Sequence, residues 1–191
     1  MSIVITGNPG VGKHTITQQI ADRMKLSIVD INKIAKDSGL FEKNEDTNDI
    51  DVEKLEKILE QKISKNNVIV GHLAPYVLKK DQVKIMIVLR RSPYDLISVY
   101  KDRKYSDKKI RDNTGSEILG IIANDVINKF QEKSFQINAS SKTIAEILEK
   151  IMSIIMDKKG NEEVDWLDLV TKNNDLGKFF DDWLNNVFEF V

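Results

Sequence analysis

Short runs of β-branched apolar residues alternate along the chain with longer stretches of helical period. Ser2-Ile3-Val4-Ile5-Thr6, Leu26-Ser27-Ile28-Val29-Asp30, Asn67-Val68-Ile69-Val70-Gly71, Lys84-Ile85-Met86-Ile87-Val88-Leu89 and Ser134-Phe135-Gln136-Ile137-Asn138 predict five buried strands. After the first strand comes a glycine-rich loop, and from Lys13 the residues Ile16, Ile20, Ala21 and Met24 share a helical face. Residues 31–38 predict a short helix closed by Gly39, 40–51 an acidic, asparagine-rich loop, and Leu55, Ile58, Leu59 and Ile63 another helix. Ser92-Pro93 places an N-cap and a first-turn proline at the head of a helix reaching about Arg103. A charged stretch, 103–113, then interrupts before a long helix over roughly 114–133. The last body helix spans 141–156, with Ile144, Ile147, Leu148, Ile151 and Ile155 inward. Alternating strands and helices imply an α/β fold: a mostly parallel five-stranded sheet covered by helices on both faces.

The 191 residues suit one domain with an appendage. With no cysteine there is no disulfide framework, thiolate metal site or cysteine nucleophile, and a reducing, cytoplasmic interior is the expected setting. No hydrophobic run approaches the length of a membrane span, and the short, uncharged start does not fit a signal peptide. Twenty-nine basic against 30 acidic residues argue against a general polyanion binder and against direct sequence-specific nucleic-acid binding. That neutrality is a cancellation. Residues 157–191 hold nine acids and four bases, which leaves a mildly basic body. Only five of the basic residues are arginine, and four of those lie between positions 90 and 111.

Gly7-Asn8-Pro9-Gly10-Val11-Gly12-Lys13 fits G-x-x-x-x-G-K between a strand and a helix. Glycines let successive backbone N–H groups surround phosphates, the helix N-terminus adds positive potential, and Lys13 supplies a mobile cation. This predicts a nucleotide-binding site. The residue after the lysine is His14, where a hydroxyl is usual, and Thr15 follows. Magnesium prefers oxygen, so either Thr15 or water completes the metal shell, or metal handling is altered. His14 can instead donate to a phosphate, or stand as an exposed first-turn residue with no role.

Arg90 and Arg91 follow the strand ending at Leu89, so at least one is expected to face the phosphate loop, where ligands of open α/β sheets gather. Arg103 and Arg111 bracket Lys104-Tyr105-Ser106-Asp107-Lys108-Lys109-Ile110. Planar guanidinium groups clamp the equatorial oxygens of a transferring phosphoryl group, and a basic flap excludes water. A lid is the favoured reading of this stretch over a solvated helix–helix corner. His72, at the carboxyl edge of a buried strand, either positions water or an acceptor phosphate, or is hydrogen-bonded beneath the loop.

Taken together, Ile3 to Lys13, Val68-Ile69-Val70-Gly71-His72, Ile87-Val88-Leu89-Arg90, Arg103 to Asn113 and Asn138-Ala139-Ser140-Ser141-Lys142 resemble the small nucleoside monophosphate kinases of the adenylate kinase isoenzyme 6 type. The likeness is colinear over about residues 1–155. It implies a P-loop nucleoside monophosphate kinase fold over 1–156, with a monophosphate-binding segment at about 30–53, a short lid at about 103–113 and a helical extension over 157–191. It implies reversible phosphoryl transfer between ATP and AMP, tolerance of other nucleoside monophosphates, and ATPase activity. Contact with a small-subunit platform ribosomal protein during ribosome maturation is its further implication. By this resemblance Gly10, Val11, Gly12, Lys13, His14 and Thr15 take the ATP phosphates. Arg103 takes the place of the lid arginine, and Lys142 lies in the adenine-side loop. His14 and the missing strand-end acid of Val68-Ile69-Val70-Gly71 depart from the family pattern and point to slow turnover. A nucleotide-gated ribosome-assembly ATPase with little kinase activity is the alternative.

Residues 164–191 carry both tryptophans and four of the seven phenylalanines. Val164, Leu167 and Val170 predict a short helix, and Leu176, Phe179, Phe180, Trp183 and Val187 the stripe of a second. This hairpin packs back on the body or on a second copy of the chain, as monomer or homodimer, or else it docks a basic partner.

Overall fold

The computed structural model describes residues 1–43 and 48–180, with backbone alone for 41–43 and 48–49. Five strands, β1 (Ser2–Thr6), β2 (Ser27–Asp30), β5 (Asn67–Val70), β6 (Val83–Arg90) and β7 (Ser134–Asn138), form one parallel sheet in the order β2-β5-β1-β6-β7. β1 and β6 lie in the middle, so their side chains are buried on both faces and read as unbroken apolar runs. Ile3, Ile5, Ile85, Ile87 and Leu89 point to one face and meet helix α1 (Lys13–Met24), α5 (Pro93–Asp102) and α8 (Ile144–Asp157) through Ile16, Ile20, Leu96, Tyr100, Ile151 and Ile154. Val4, Met86 and Val88 point to the other. They meet α2 (Ile31–Asp37), α3 (Val52–Lys62), α4 (Ala74–Val77) and α7 (Ile121–Phe130) through Ile31, Leu55, Leu59, Leu78, Val126 and Phe130. The expected α/β architecture is the observed one.

Four local expectations are corrected. The 40–51 segment contains a two-stranded antiparallel hairpin of β3 (Phe41–Lys43) and β4 (Asn48–Ile50) rather than loop alone. The charged stretch 103–113 is mostly helix: α6 (Asp107–Ile118) starts at Ser106, whose side chain accepts from the Lys109 N–H, so only Arg103–Ser106 separates it from α5. The long helix expected over 114–133 breaks at Gly120, which adopts left-handed backbone (φ 64°) as the N-cap of α7; a 3-10 turn, Gln131–Lys133, ends that region. Within α8, Ile144 is 48 % exposed, as the first helical residue inside the Thr143/Glu146 capping box, and Ile154 is the buried member instead.

The C-terminal segment continues through α9 (Trp166–Lys172) to a helical turn over 176–180. Trp166, Val170 and Phe179 are buried against Ile118, with Tyr94, Ile97, Val164 and Phe180 around them. The Tyr94 hydroxyl donates to Asp175, and its ring meets Phe179 edge-on. The described part of the tail therefore turns its aromatic residues inward; Trp183 and Val187 lie outside the described residues.

Candidate active site

The phosphate loop joins β1 to α1 at the carboxyl edge of the sheet. Gly7 (φ 131°) passes so close to β6 that a Cβ there would lie 2.3 Å from the Leu89 carbonyl oxygen. Gly12 (φ 96°) takes the left-handed conformation that lets α1 begin, and the first bond of that helix runs from Ile16 N–H to Gly12 O. The N–H groups of Lys13, His14 and Thr15 precede this ladder, so the helix N-terminus offers donors to an anion.

The carbonyl groups of the loop are tied back. The Lys13 ammonium donates to Asn8 O (2.7 Å), the buried Tyr100 hydroxyl to Pro9 O (2.7 Å) and the Arg91 guanidinium to Gly10 O (3.4 Å). Thr6 Oγ1 donates to Gly71 O at 2.8 Å and fixes the loop entrance to the end of β5. The Asn8 side chain is held at both ends by α6: its Nδ2 donates to Glu117 Oε2 (2.6 Å), and its Oδ1 accepts from Ser116 Oγ (3.1 Å).

A cavity of about 910 Å³ opens over this loop. It brings together Gly10, Gly12, Lys13, His14, Thr15, His72 and Arg103 from the sequence candidates. Ile50, Val52, Leu73, Tyr76 and Ile122 add apolar lining, and α6 adds Lys108, Lys109, Asp112, Asn113 and Ser116. A volume of this size is that of a small-molecule binding cleft. Four candidates are placed elsewhere. Val11 is buried beneath the loop. Lys142 donates to Asn138 O (2.6 Å) and pairs with Glu162 (3.2 Å), because that acid from the C-terminal segment lies beside it. Arg90 is 3 % exposed and is turned inward by Glu117 (Nε to Oε1, 2.8 Å) and Gln136. Arg111 is on α6 and does not line the cavity.

Burial pushes the Lys13 ammonium down from its ordinary 10.5 to about 7; Glu117 opposes the shift, Arg103 adds to it, and Asp30 opposes it. Lys13 is therefore an enclosed cation whose charge a bound phosphate would restore. Burial, then Lys13 and Lys109, push His72 down to about 4, so its imidazole is neutral at physiological pH. Donation from Asn32 Nδ2 to His72 Nδ1 (2.9 Å) leaves the ring proton on Nε2. His14 Nε2 meets Asp30 Oδ2 at 3.0 Å, while Asp30 Oδ1 caps α2 through Lys33 N–H, linking the phosphate loop to the segment that follows β2.

Thr15 is the sole hydroxyl residue of 7–15, and Asp30 stands one hydrogen bond away through His14. Among the described residues no group of three or more His, Cys, Asp and Glu is placed to hold a metal ion. Thr15 lines the cavity and is the loop's one hydroxyl, an oxygen of the kind magnesium prefers.

Sequence reasoning missed Asn8 and Glu117. Glu117 is fully buried and accepts four donors: Asn8 Nδ2, Arg90 Nε, the Arg91 N–H and Trp166 Nε1. One signal was available, a lone acid within the small and apolar run Thr114-Gly115-Ser116-Glu117-Ile118-Leu119.

Comparison with known proteins places this geometry in context. A family described as the AAA domain matches residues 3–120. The chain is 34% identical over 172 residues to a protein of Methanocaldococcus jannaschii named "putative adenylate kinase", covering 87% of this chain and 93% of the relative. A protein of the same name from Thermococcus kodakarensis is 31% identical over 169 residues, covering 87% and 93%. Among solved structures, shikimate kinase from Bacteroides thetaiotaomicron superposes with a TM-score of 0.56 at 16% identity, covering 81% of this chain and 98% of that one. The YorR protein of Bacillus subtilis, solved with phosphorylated GDP, gives 0.57 at 15%, covering 85% and 100%. These two share the fold.

Proposed function

The chain belongs to the AAA-domain family, with archaeal relatives named "putative adenylate kinase", and from that membership we propose that it transfers a phosphoryl group from ATP to a nucleoside monophosphate, AMP first among them. The observation that carries the reading is one cavity whose lining joins the phosphate loop and Lys13 to the apolar residues Ile50, Val52, Leu73 and Ile122 and to Arg103.

ATP would lay its phosphates on the N–H groups at the head of α1, with Lys13 on the terminal phosphates. Magnesium would neutralise charge on the same phosphates, held on the protein side by Thr15. The acceptor is already an ionised phosphate and needs no general base, so positioning and charge neutralisation suffice. Arg103, exposed and lining the cavity, is suited to clamp the equatorial oxygens; Lys108 and Lys109 add positive potential. Neutral His72 would donate its Nε2 proton to an oxygen of the acceptor phosphate.

With water as acceptor the same site would hydrolyse ATP, the reaction required by the ribosome-assembly alternative. The reading is tested by calorimetric titration with ATP, with AMP and with a bisubstrate analogue joining two adenosines through five phosphates. Separate binding of ATP and AMP, and far tighter binding of the analogue, is expected. An analogue that binds no more tightly than ATP would remove the acceptor half of the proposal.

A further inference from the structure

Glu117 is a junction between three parts of the chain. Its Oε2 accepts from Asn8 of the phosphate loop at 2.6 Å. Its Oε1 accepts from the Arg90 guanidinium (2.8 Å), the Arg91 N–H (3.0 Å) and the indole N–H of Trp166 (3.0 Å). A carboxylate fully removed from water is held in position by each of these donors, since buried polar groups keep their hydrogen bonds. Three come from the loop and the end of β6, inside the nucleotide-handling body. The fourth is brought by the C-terminal segment.

The backbone of the same Asn8 meets Lys13: its carbonyl accepts from the ammonium at 2.7 Å. Trp166, Glu117, Asn8 and Lys13 thus form one continuous buried chain of hydrogen bonds. A second contact works in parallel. Val170 and Phe179 pack on Ile118, and a Cβ on Gly115 would lie 3.4 Å from Phe180, so the tail presses on the α6 face opposite the cavity. α6 in turn supplies Ser116, Asn113 and Asp112 to the cavity wall.

We propose that Trp166 is a positioning residue for the phosphate loop: its indole N–H fixes Glu117, which fixes Asn8 and through it the Lys13 ammonium that receives the ATP phosphates. The inference rests on the proposed phosphate-loop site, and it assigns the C-terminal segment a part in nucleotide binding. The chain of bonds ends at Lys13, which the proposed function places on the ATP phosphates, so the effect is expected on ATP and not on AMP.

Trp166→Phe keeps most of the packing volume and removes the donor; Trp166→His keeps a ring N–H. The expected result for Trp166→Phe is a KM for ATP raised about three- to tenfold with the KM for AMP unchanged, and partial recovery in Trp166→His. Unchanged KM for ATP, or an equal rise for both nucleotides, would overturn the proposal, since general loosening of the fold would weaken both. A further measurement needs no variant at position 166. The Trp166 indole N–H resonance of the intact chain, assigned by comparison with Trp183→Phe, should move on addition of inorganic triphosphate. If it stays fixed while triphosphate binds, the coupling is absent. If the wild-type chain binds neither ATP nor triphosphate, the proposed function itself fails and the inference falls with it.

Discussion

Lys13 is the residue where stability and function are most opposed. In the protein without nucleotide its ammonium is 5 % exposed and its pKa falls from 10.5 to about 7, chiefly through burial. Below pH 7 the lysine is protonated in both folded and unfolded chains, and folding carries the whole penalty of enclosing a charge. Above pH 10.5 it is neutral in both, and the penalty vanishes. Stability attributable to this group therefore rises with pH between those limits. At 1.36 kcal/mol for each pKa unit the penalty near pH 7 is about 4 kcal/mol. Lys13→Met removes it, fills the same volume, and leaves the Asn8 carbonyl without its donor, which costs about 1 kcal/mol. The variant should be more stable by about 3 kcal/mol at pH 7, roughly 6–12 °C in Tm for a chain of this size, while losing ATP binding. The assay is urea unfolding of both proteins from pH 6 to pH 10, with the gap largest at the acid end. A variant equal to or less stable than wild type at pH 6 would refute the reasoning.

Other perturbations separate the roles of neighbouring groups. Binding of ATP should restore the Lys13 charge and take up about half a proton at pH 7, read from calorimetry in buffers of different ionisation enthalpy. Glu117→Gln leaves the buried Arg90 guanidinium without its counter-charge and should lower stability by about 3–5 kcal/mol in denaturant unfolding. Arg103→Ala should depress phosphoryl transfer by about 10³-fold with Tm nearly unchanged, because its side chain is exposed. His14→Ser offers magnesium an oxygen and releases Asp30, so half-maximal activity should be reached at a several-fold lower magnesium concentration.

The sheet was legible because its central strands are buried on both faces, and burial of that kind writes itself as uninterrupted runs such as Ile85-Met86-Ile87-Val88-Leu89. The phosphate loop was legible because its backbone conformation demands glycine at fixed spacing. The 103–113 stretch was harder: its charge suggested a loop, while the Ser106 cap and the Ile110, Thr114, Ile118 spacing make it helical and partly buried. The hairpin of β3 and β4 has no alternation of side-chain character to announce it. Long cations were the least readable. Arg90 and Lys142 end where Glu117 and Glu162 await them, and those partners are fixed by tertiary packing 27 and 20 residues away. Glu117 itself shows its importance only when Asn8, Arg90, Arg91 and Trp166 are assembled around it.

The central claim is transfer of phosphate to a nucleotide acceptor. Phosphorus NMR of the products formed from ATP with and without AMP tests it most directly. The account predicts that ADP accumulates only when AMP is present, at two molecules for each ATP consumed, with no matching release of inorganic phosphate. Inorganic phosphate produced at the same rate whether or not AMP is added would contradict it.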